Sequence, residues 1–330
     1  MPIIKVNDVA FPTLQAPDLE VQEKFLLDFG MQRTALTEDT LYMHGDGDQN
    51  FIHVSKKGEK KFLALAFYAD SIEDLETLSQ SINFSDVEEM NSPGGGFKTQ
   101  GIDPNGLNIE VVFGIEEINR DNDLTATGFN VGGKDRSTFQ RINKPKRFSK
   151  GAYPRIKRFG HIGLNVENPE ESLKWYNEHL GIIATDILQP EKGMTFGIFS
   201  RCDRGDDPSD HHNIFFLPNI LSEGVSGINH VSYEVIDFDD VFMGHEILQR
   251  EGYTPEWGIG RHYQGSQVFD YWRSPFGHVH EHQTDGDVFT ADVPPNIVNI
   301  SEDGDPDNPE VGPSQWGFSL PPTFGNKEGV

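Results

Sequence analysis

The stretch His161–Gly181 reads HIGLNVENPEESLKWYNEHLG, and its pattern decides the fold. Ile162, Leu164 and Val166 alternate with polar or small residues, the period-two signature of a half-buried strand. Asn168 then offers an N-cap, Pro169 takes the first helical position and Glu171 completes a capping box. Leu173, Tyr176 and Leu180 recur at helical spacing, and Gly181 ends the helix. A strand running straight into a capped amphipathic helix is the unit predicted here.

The unit repeats. AFPTLQAPDLEVQEKFLLDFG, Ala10 to Gly30, has the same strand, Pro/acidic helix start and terminal glycine, so Ala10 aligns with His161. LALAFYADSIEDLETL, from Leu63, aligns with HVSYEVIDFDDVFMGHEIL, from His230, on Asp70 and Asp237. DPNGLNIEVVF, around Glu110, aligns with SPFGHVHEHQ, around Glu281. The chain therefore reads as α+β, with four βαβββ modules paired into two domains. An N-terminal two-module domain, free of metal and structural, is expected over residues 1–135. A C-terminal two-module catalytic domain is expected over 156–288, beyond the basic linker RINKPKRFSKGAYPRIKR. Residues 289–330, rich in Pro, Asp, Asn and Gly, are predicted to form an irregular tail onto which Trp316, Phe318 and Phe324 add packing contacts.

Composition narrows the function classes. The 330 residues suffice for two cores. A formal charge of -26 repels phosphate backbones and anionic lipid, so no nucleic-acid or membrane partner is expected, and the charge reads as a solvated face. One cysteine, Cys202, permits neither an internal disulfide nor a cysteine-based zinc site. MPIIKVNDVAF lacks the pattern of a signal peptide, and no apolar run approaches the ~20 residues of a membrane span. A cytoplasmic location is expected.

Laying the repeats over one another separates chemistry from scaffold. The aligned positions are His161, His230 and Glu281 in the second half, but Ala10, Leu63 and Glu110 in the first. Two imidazoles and a carboxylate on three strands make a facial triad that leaves positions open on a divalent metal. The first half cannot bind metal this way, and ten of the twelve histidines lie after residue 160. A lone strand histidine is more often a hydrogen-bonded core residue, and HVHEH reads equally as an edge strand or as a run placing His278, His280 or His282 on the metal.

GHIGLNV, DHHNIFF, GINHVSYEV and GRHYQGSQVFDYWRSPFGHVHE resemble the type I extradiol dioxygenases of the vicinal oxygen chelate superfamily, such as those acting on 2,3-dihydroxybiphenyl or catechol. The resemblance implies two domains, each a curved mixed sheet around a pocket. Its Pro-x-Gly-x-x-x-Glu phase, here Pro275, Gly277 and Glu281, favours Glu281 as the metal ligand beside His161 and His230. It further implies that His212 is an acid–base histidine, His262 orients substrate and oxygen, and Tyr271 hydrogen-bonds a substrate hydroxyl. His211 is expected to face away, because neighbours on a strand point to opposite faces.

The implied reaction is extradiol cleavage of a catechol-type diol by O₂ at a mononuclear Fe(II), with Mn(II) as the other candidate, in a homo-oligomer. Alternatives on the same fold are hydroquinone or trihydroxybenzene cleavage, a metal-dependent glyoxalase-like isomerase, and a non-catalytic ligand-binding protein. The pocket wall is expected from residues 185–210, 245–265 and the tail, with Phe196, Phe199, Phe269 and Trp272 as candidate aromatics.

Overall fold

A computed structural model of the chain describes all residues except 121, 123, 125–127, 131–132, 192, 301–312 and 327–330. Asn168 behaves as its sequence requires: its side chain accepts from the main-chain N–H groups of Glu170 and Glu171 and opens helix Pro169–Leu180. Gly181 closes that helix at φ 73°, a left-handed conformation that costs glycine nothing. The other three long helices are capped by Asp18, Ser71 and Asp237.

Each helix leads from one central strand to three further strands, giving the four βαβββ modules. The first two modules share an eight-stranded sheet whose central strands, Asp8–Ala16 and Lys61–Tyr68, pair antiparallel. The last two build a ten-stranded sheet around the antiparallel pair Ile156–Val166 and Gly227–Val235. In both sheets each central strand also pairs in parallel with the last strand of its own module. Helices Pro169–Leu180 and Phe238–Arg250 pack on one face of the larger sheet, against Ile162, Leu164, Phe216, Val231 and Tyr233. The alternate side chains of the same strands face a cavity on the opposite side.

The repeats superpose one residue away from the alignment on terminal glycines. Helix Pro169–Leu180 has 12 residues and Leu19–Asp28 has 10, so the glycines beyond them are not equivalent. The caps are: Phe11 precedes Asp18 by the seven residues that separate His161 from Asn168. In the parallel ladders Ala66 pairs with Glu110 and Ser232 with Glu281, which sets Ala64 opposite His230. The first-half counterparts of His161 and His230 are therefore Phe11 and Ala64, not Ala10 and Leu63. A one-residue slip exchanges the two faces of a strand, and Phe11, Ala64 and Glu110 do line the smaller sheet's own pocket.

The tail is not wholly irregular. Asn296–Asn299 adds a parallel strand beside Ile182–Gln189 at one edge of the larger sheet. Trp316–Gly317 pairs with Thr254–Arg261 at the other edge. Both sheet edges are covered in this way, and Ile300, Pro313, Leu320 and Phe324 of the tail line the cavity. No helix among the described residues is long and apolar enough to cross a membrane.

One core runs through both halves. Strand Val279–Thr284 sits at their junction, and its alternation resolves HVHEH. Glu281 faces the cavity side, while His280 and His282 face the first half. His282 stacks on Phe29 at 3.7 Å and donates from Nε2 to the Phe29 carbonyl at 2.7 Å. His53 bonds Tyr233 and Ser55. Burial holds the pKa of His280 down to about 3 and of His282 to about 4, and puts His53 well below its ordinary value.

These neutral imidazoles stabilise the fold fully above the unfolded-state pKa near 6.5. Their contribution fades as pH falls below it, because the unfolded chain then binds protons that the folded chain refuses. The limiting slope is about 1.4 kcal/mol per pH unit for each histidine. Melting curves between pH 7 and 5 should show Tm falling with acidity, and the fall should be shallower in His53→Gln. Equal slopes in the two proteins would remove His53 from this account.

Candidate metal centre and active site

His161, His230 and Glu281 lie on three adjacent strands, Ile156–Val166, Gly227–Val235 and Val279–Thr284. Their side chains converge. His161 Nε2 is 3.1 Å from His230 Nε2 and 3.1 Å from Glu281 Oε2, and His230 Nε2 is 3.8 Å from the same oxygen. All three residues are buried. Among the described residues they form the one group of at least three His, Cys, Asp or Glu side chains with ligand atoms within 4.8 Å of one another.

The second layer orients the donors. The Nδ1–H of His230 donates to Asn229 Oδ1 at 2.8 Å, and Asn229 is held in turn by Asn165 at 3.2 Å. That leaves the His230 Nε2 lone pair facing His161 and Glu281. Gly163 pairs with His230 across the ladder. A Cβ built there would stand 2.6 Å from the His230 ring, so glycine leaves the room in which the ring lies.

Electrostatics show what the trio lacks. Glu281 has zero exposure, neither of its oxygens has a hydrogen-bond partner of good geometry, and the basic side chains within 4 Å of it among the described residues are His161, His230 and His262. Burial opposes its ionised form, but the His161, His262 and His230 rings outweigh that and hold it well below the usual carboxylate range. Burial drives His230 down to about 3, so that ring is neutral. A buried carboxylate beside the neutral His230 ring has no lysine or arginine to balance it among the described residues, and an uncompensated buried charge costs several kcal/mol. The donor set and the missing charge both fit a divalent metal. The first sheet balances the equivalent carboxylate differently, with Lys98 Nζ 2.7 Å from Glu110 Oε1.

A cavity of about 350 Å³ opens over the trio. His212, His262 and Tyr271 line it with His161 and His230, so the structure gathers all the polar positions singled out above. The His212 ring lies 4.1 Å from that of His161, and burial, with His161 next, pushes its pKa well below the ordinary value. Tyr271 is 2.9 Å from His262 Nε2, and burial beside Glu281 raises its phenol, which therefore stays protonated. His262 Nδ1 meets the Pro313 carbonyl at 2.9 Å. A carbonyl only accepts, so Nδ1 carries the hydrogen and Nε2 receives the Tyr271 hydroxyl.

The far wall is apolar: Leu188, Phe196, Phe199, Phe215, Leu217 and Ile300. Phe199 and Phe215 stack at 3.8 Å. Of the four candidate aromatics Phe196 and Phe199 line the cavity, whereas Phe269 and Trp272 do not. The tail contributes more than packing. Leu320 and Phe324 line the cavity, Phe324 lies 5.2 Å from Tyr271, and Trp257 Nε1 donates to the Phe318 carbonyl at 2.8 Å. Nothing in the repeat pattern announces these tail residues, since the first half has no counterpart of them. Asn229, directly before His230, was the more legible omission.

His211 lies outside the cavity lining, as expected, but beside His212 rather than on an opposite strand face. Ser209–Asp210 is the strand there, and residues 211–213 lie beyond it, so alternation does not apply. Its Nδ1 lies 3.0 Å from His212 Nδ1 and its Nε2 2.9 Å from Asp186 Oδ2.

Residues 158–281 match the family model of the Glyoxalase/Bleomycin resistance protein/Dioxygenase superfamily. Over 293 residues the chain is 27% identical to metapyrocatechase 2 of Cupriavidus necator, covering 87% of this chain and 83% of that protein. Among solved structures, the Mn(II)-bound glyoxalase of Novosphingobium aromaticivorans superposes with a TM-score of 0.75 at 22% identity, covering 97% and 94% of the two chains. Homoprotocatechuate 2,3-dioxygenase of Brevibacterium fuscum, in complex with 3,4-dihydroxyphenylacetate, gives 0.75 at 19% identity, covering 98% and 92%.

Two substitutions test the metal centre. His161→Ala should lose stoichiometric binding of an added divalent metal, measured by elemental analysis after anaerobic loading, and full metal content would remove His161 from the centre. Gly163→Ala should weaken metal binding about 10–100-fold through the displaced His230 ring while leaving the melting transition cooperative.

Proposed function

We propose that the protein is an extradiol dioxygenase that opens a catechol-type ring with O₂, using Fe(II) held by His161, His230 and Glu281. The observation that carries this reading is a buried, charge-deficient His–His–Glu trio at the floor of an apolar cavity, ringed by His212, His262 and Tyr271. The 27% identity to a metapyrocatechase supports it.

Fe(II) bound there supplies Lewis acidity toward a chelating diol and an electron source for O₂ at its open positions. With two neutral imidazoles and one carboxylate, the filled centre carries a single positive charge, which a diol monoanion cancels. The reaction breaks the ring C–C bond beside the diol and places both oxygen atoms in a ring-opened semialdehyde.

The chain's own groups divide the remaining work. Tyr271 holds its phenolic proton and hydrogen-bonds one diol oxygen. His262, braced at Nδ1 by Pro313, keeps the tyrosine hydroxyl and the ligand in register. His212 moves a proton at Nε2, since its Nδ1 is occupied by His211. The apolar wall and the tail exclude water from the reacting atoms.

The same lining narrows the substrate. Among the described residues no lysine or arginine lines the cavity, so a carboxylated diol finds no counter-charge, while an alkyl or aryl substituent finds Leu188, Phe199 and Phe215. Anaerobic Fe(II) loading followed by O₂ and a panel of diols should give yellow product and O₂ uptake. Methyl- and phenyl-substituted catechols should exceed 3,4-dihydroxyphenylacetate in kcat/KM by at least tenfold. A reversed order would reject the substrate class, and an iron-loaded protein that consumed O₂ with no diol would reject the reaction. His212→Phe should retain iron and lose about 10²–10⁴-fold in turnover; normal turnover would take His212 out of the mechanism.

A further inference from the structure

We propose that Asp186 and His211 are positioning residues that fix the tautomer of His212, keeping its hydrogen on Nδ1 and presenting a bare Nε2 to the cavity. Three side chains stand in line. Asp186 Oδ2 is 2.9 Å from His211 Nε2, and His211 Nδ1 is 3.0 Å from His212 Nδ1. Both rings are buried, with about 3% of each residue exposed, and His212 lines the cavity.

The hydrogen count follows from the partners. An ionised carboxylate only accepts, so His211 Nε2 carries a hydrogen. In the proposed arrangement that is the one hydrogen His211 carries, which leaves a lone pair on its Nδ1. Two imidazole nitrogens 3.0 Å apart need one hydrogen between them, and it must belong to His212 Nδ1. The His212 Nε2 is left as an acceptor. It can receive a proton from a bound diol before it returns one, and this supplies the base that the triad and Tyr271 do not.

The packing around His211 keeps it in place. Its main-chain N–H donates to the Asp287 carbonyl at 2.8 Å. Its ring sits 5.4 Å from Phe199 and 5.8 Å from Phe289. Gly265, at φ +76°, passes so close that a Cβ there would be 3.1 Å from the His211 ring.

The proposal rests on the dioxygenase reading for its kinetic arm alone. The direct arm is ¹⁵N NMR of the full chain, labelled at histidine and loaded with Zn(II), with His212 assigned by its loss in His212→Phe. Wild type should show His212 protonated at Nδ1 and bare at Nε2. His211→Phe and Asp186→Leu should shift it toward the Nε2-protonated form. In the Fe(II) enzyme the same two variants should lower kcat at least tenfold while KM for the diol and iron content stay within twofold. A wild-type His212 protonated at Nε2, an unchanged tautomer in both variants, or unchanged kcat in both overturns the proposal. A wild type that turns over no diol overturns the dioxygenase reading instead, and the NMR arm still decides the tautomer.

Discussion

A carboxylate at zero exposure, with no hydrogen bond of good geometry to either oxygen and histidines as the basic groups beside it among the described residues, is the constraint around which the second half of the molecule is arranged. Burying a charge is costly unless a countercharge is near, and each neighbouring feature bears on that cost. Asn229 turns a lone pair of His230 toward Glu281. Gly163 leaves the room in which that ring lies. The first half grips the opposite face of the same strand through His282 and Phe29. The carboxylate is thus held at a point where only a cation of suitable size completes the balance.

The duplicated half shows how little separates such a centre from a plain pocket. The strands, helices and parallel ladders correspond, and even the glutamate is retained as Glu110. With Phe11 and Ala64 in place of the two histidines, Lys98 supplies the countercharge directly. Lysine neutralises a carboxylate with a hydrogen bond and leaves nothing open for a ligand, whereas a metal on three protein donors keeps coordination positions free. The first half contributes instead by burying His280, His282 and Tyr233 against Phe25, Phe29 and His53.

The tail gives the cavity its upper side. By pairing with both edges of the larger sheet it satisfies exposed strand groups and carries Ile300, Pro313, Leu320 and Phe324 over the opening. One of its main-chain carbonyls, that of Pro313, sets which nitrogen of His262 bears hydrogen. A single acceptor-only oxygen on an otherwise unremarked segment therefore decides the direction of the Tyr271 hydrogen bond.

By itself the sequence determined what is local or periodic. Asn168, Pro169 and Gly181 specify a helix through bonds made within a few residues, and strand alternation follows from a period of two. Repetition of those signals carried the four modules and drew attention to His161, His230 and Glu281. The tertiary structure decided what depends on register and on distant partners. The equivalence of Phe11 turned on which residue caps its helix, and that of Ala64 on the parallel ladder beside Glu110, because one step along a strand changes the face. His211 became a partner of His212 because the chain leaves the strand at Asp210, and Asp186 reaches it from another strand. The cavity's wall from the tail, and the apolar surface that it completes, arise from contacts such as His262–Pro313 and Trp257–Phe318, 51 and 61 residues apart, where no local propensity operates.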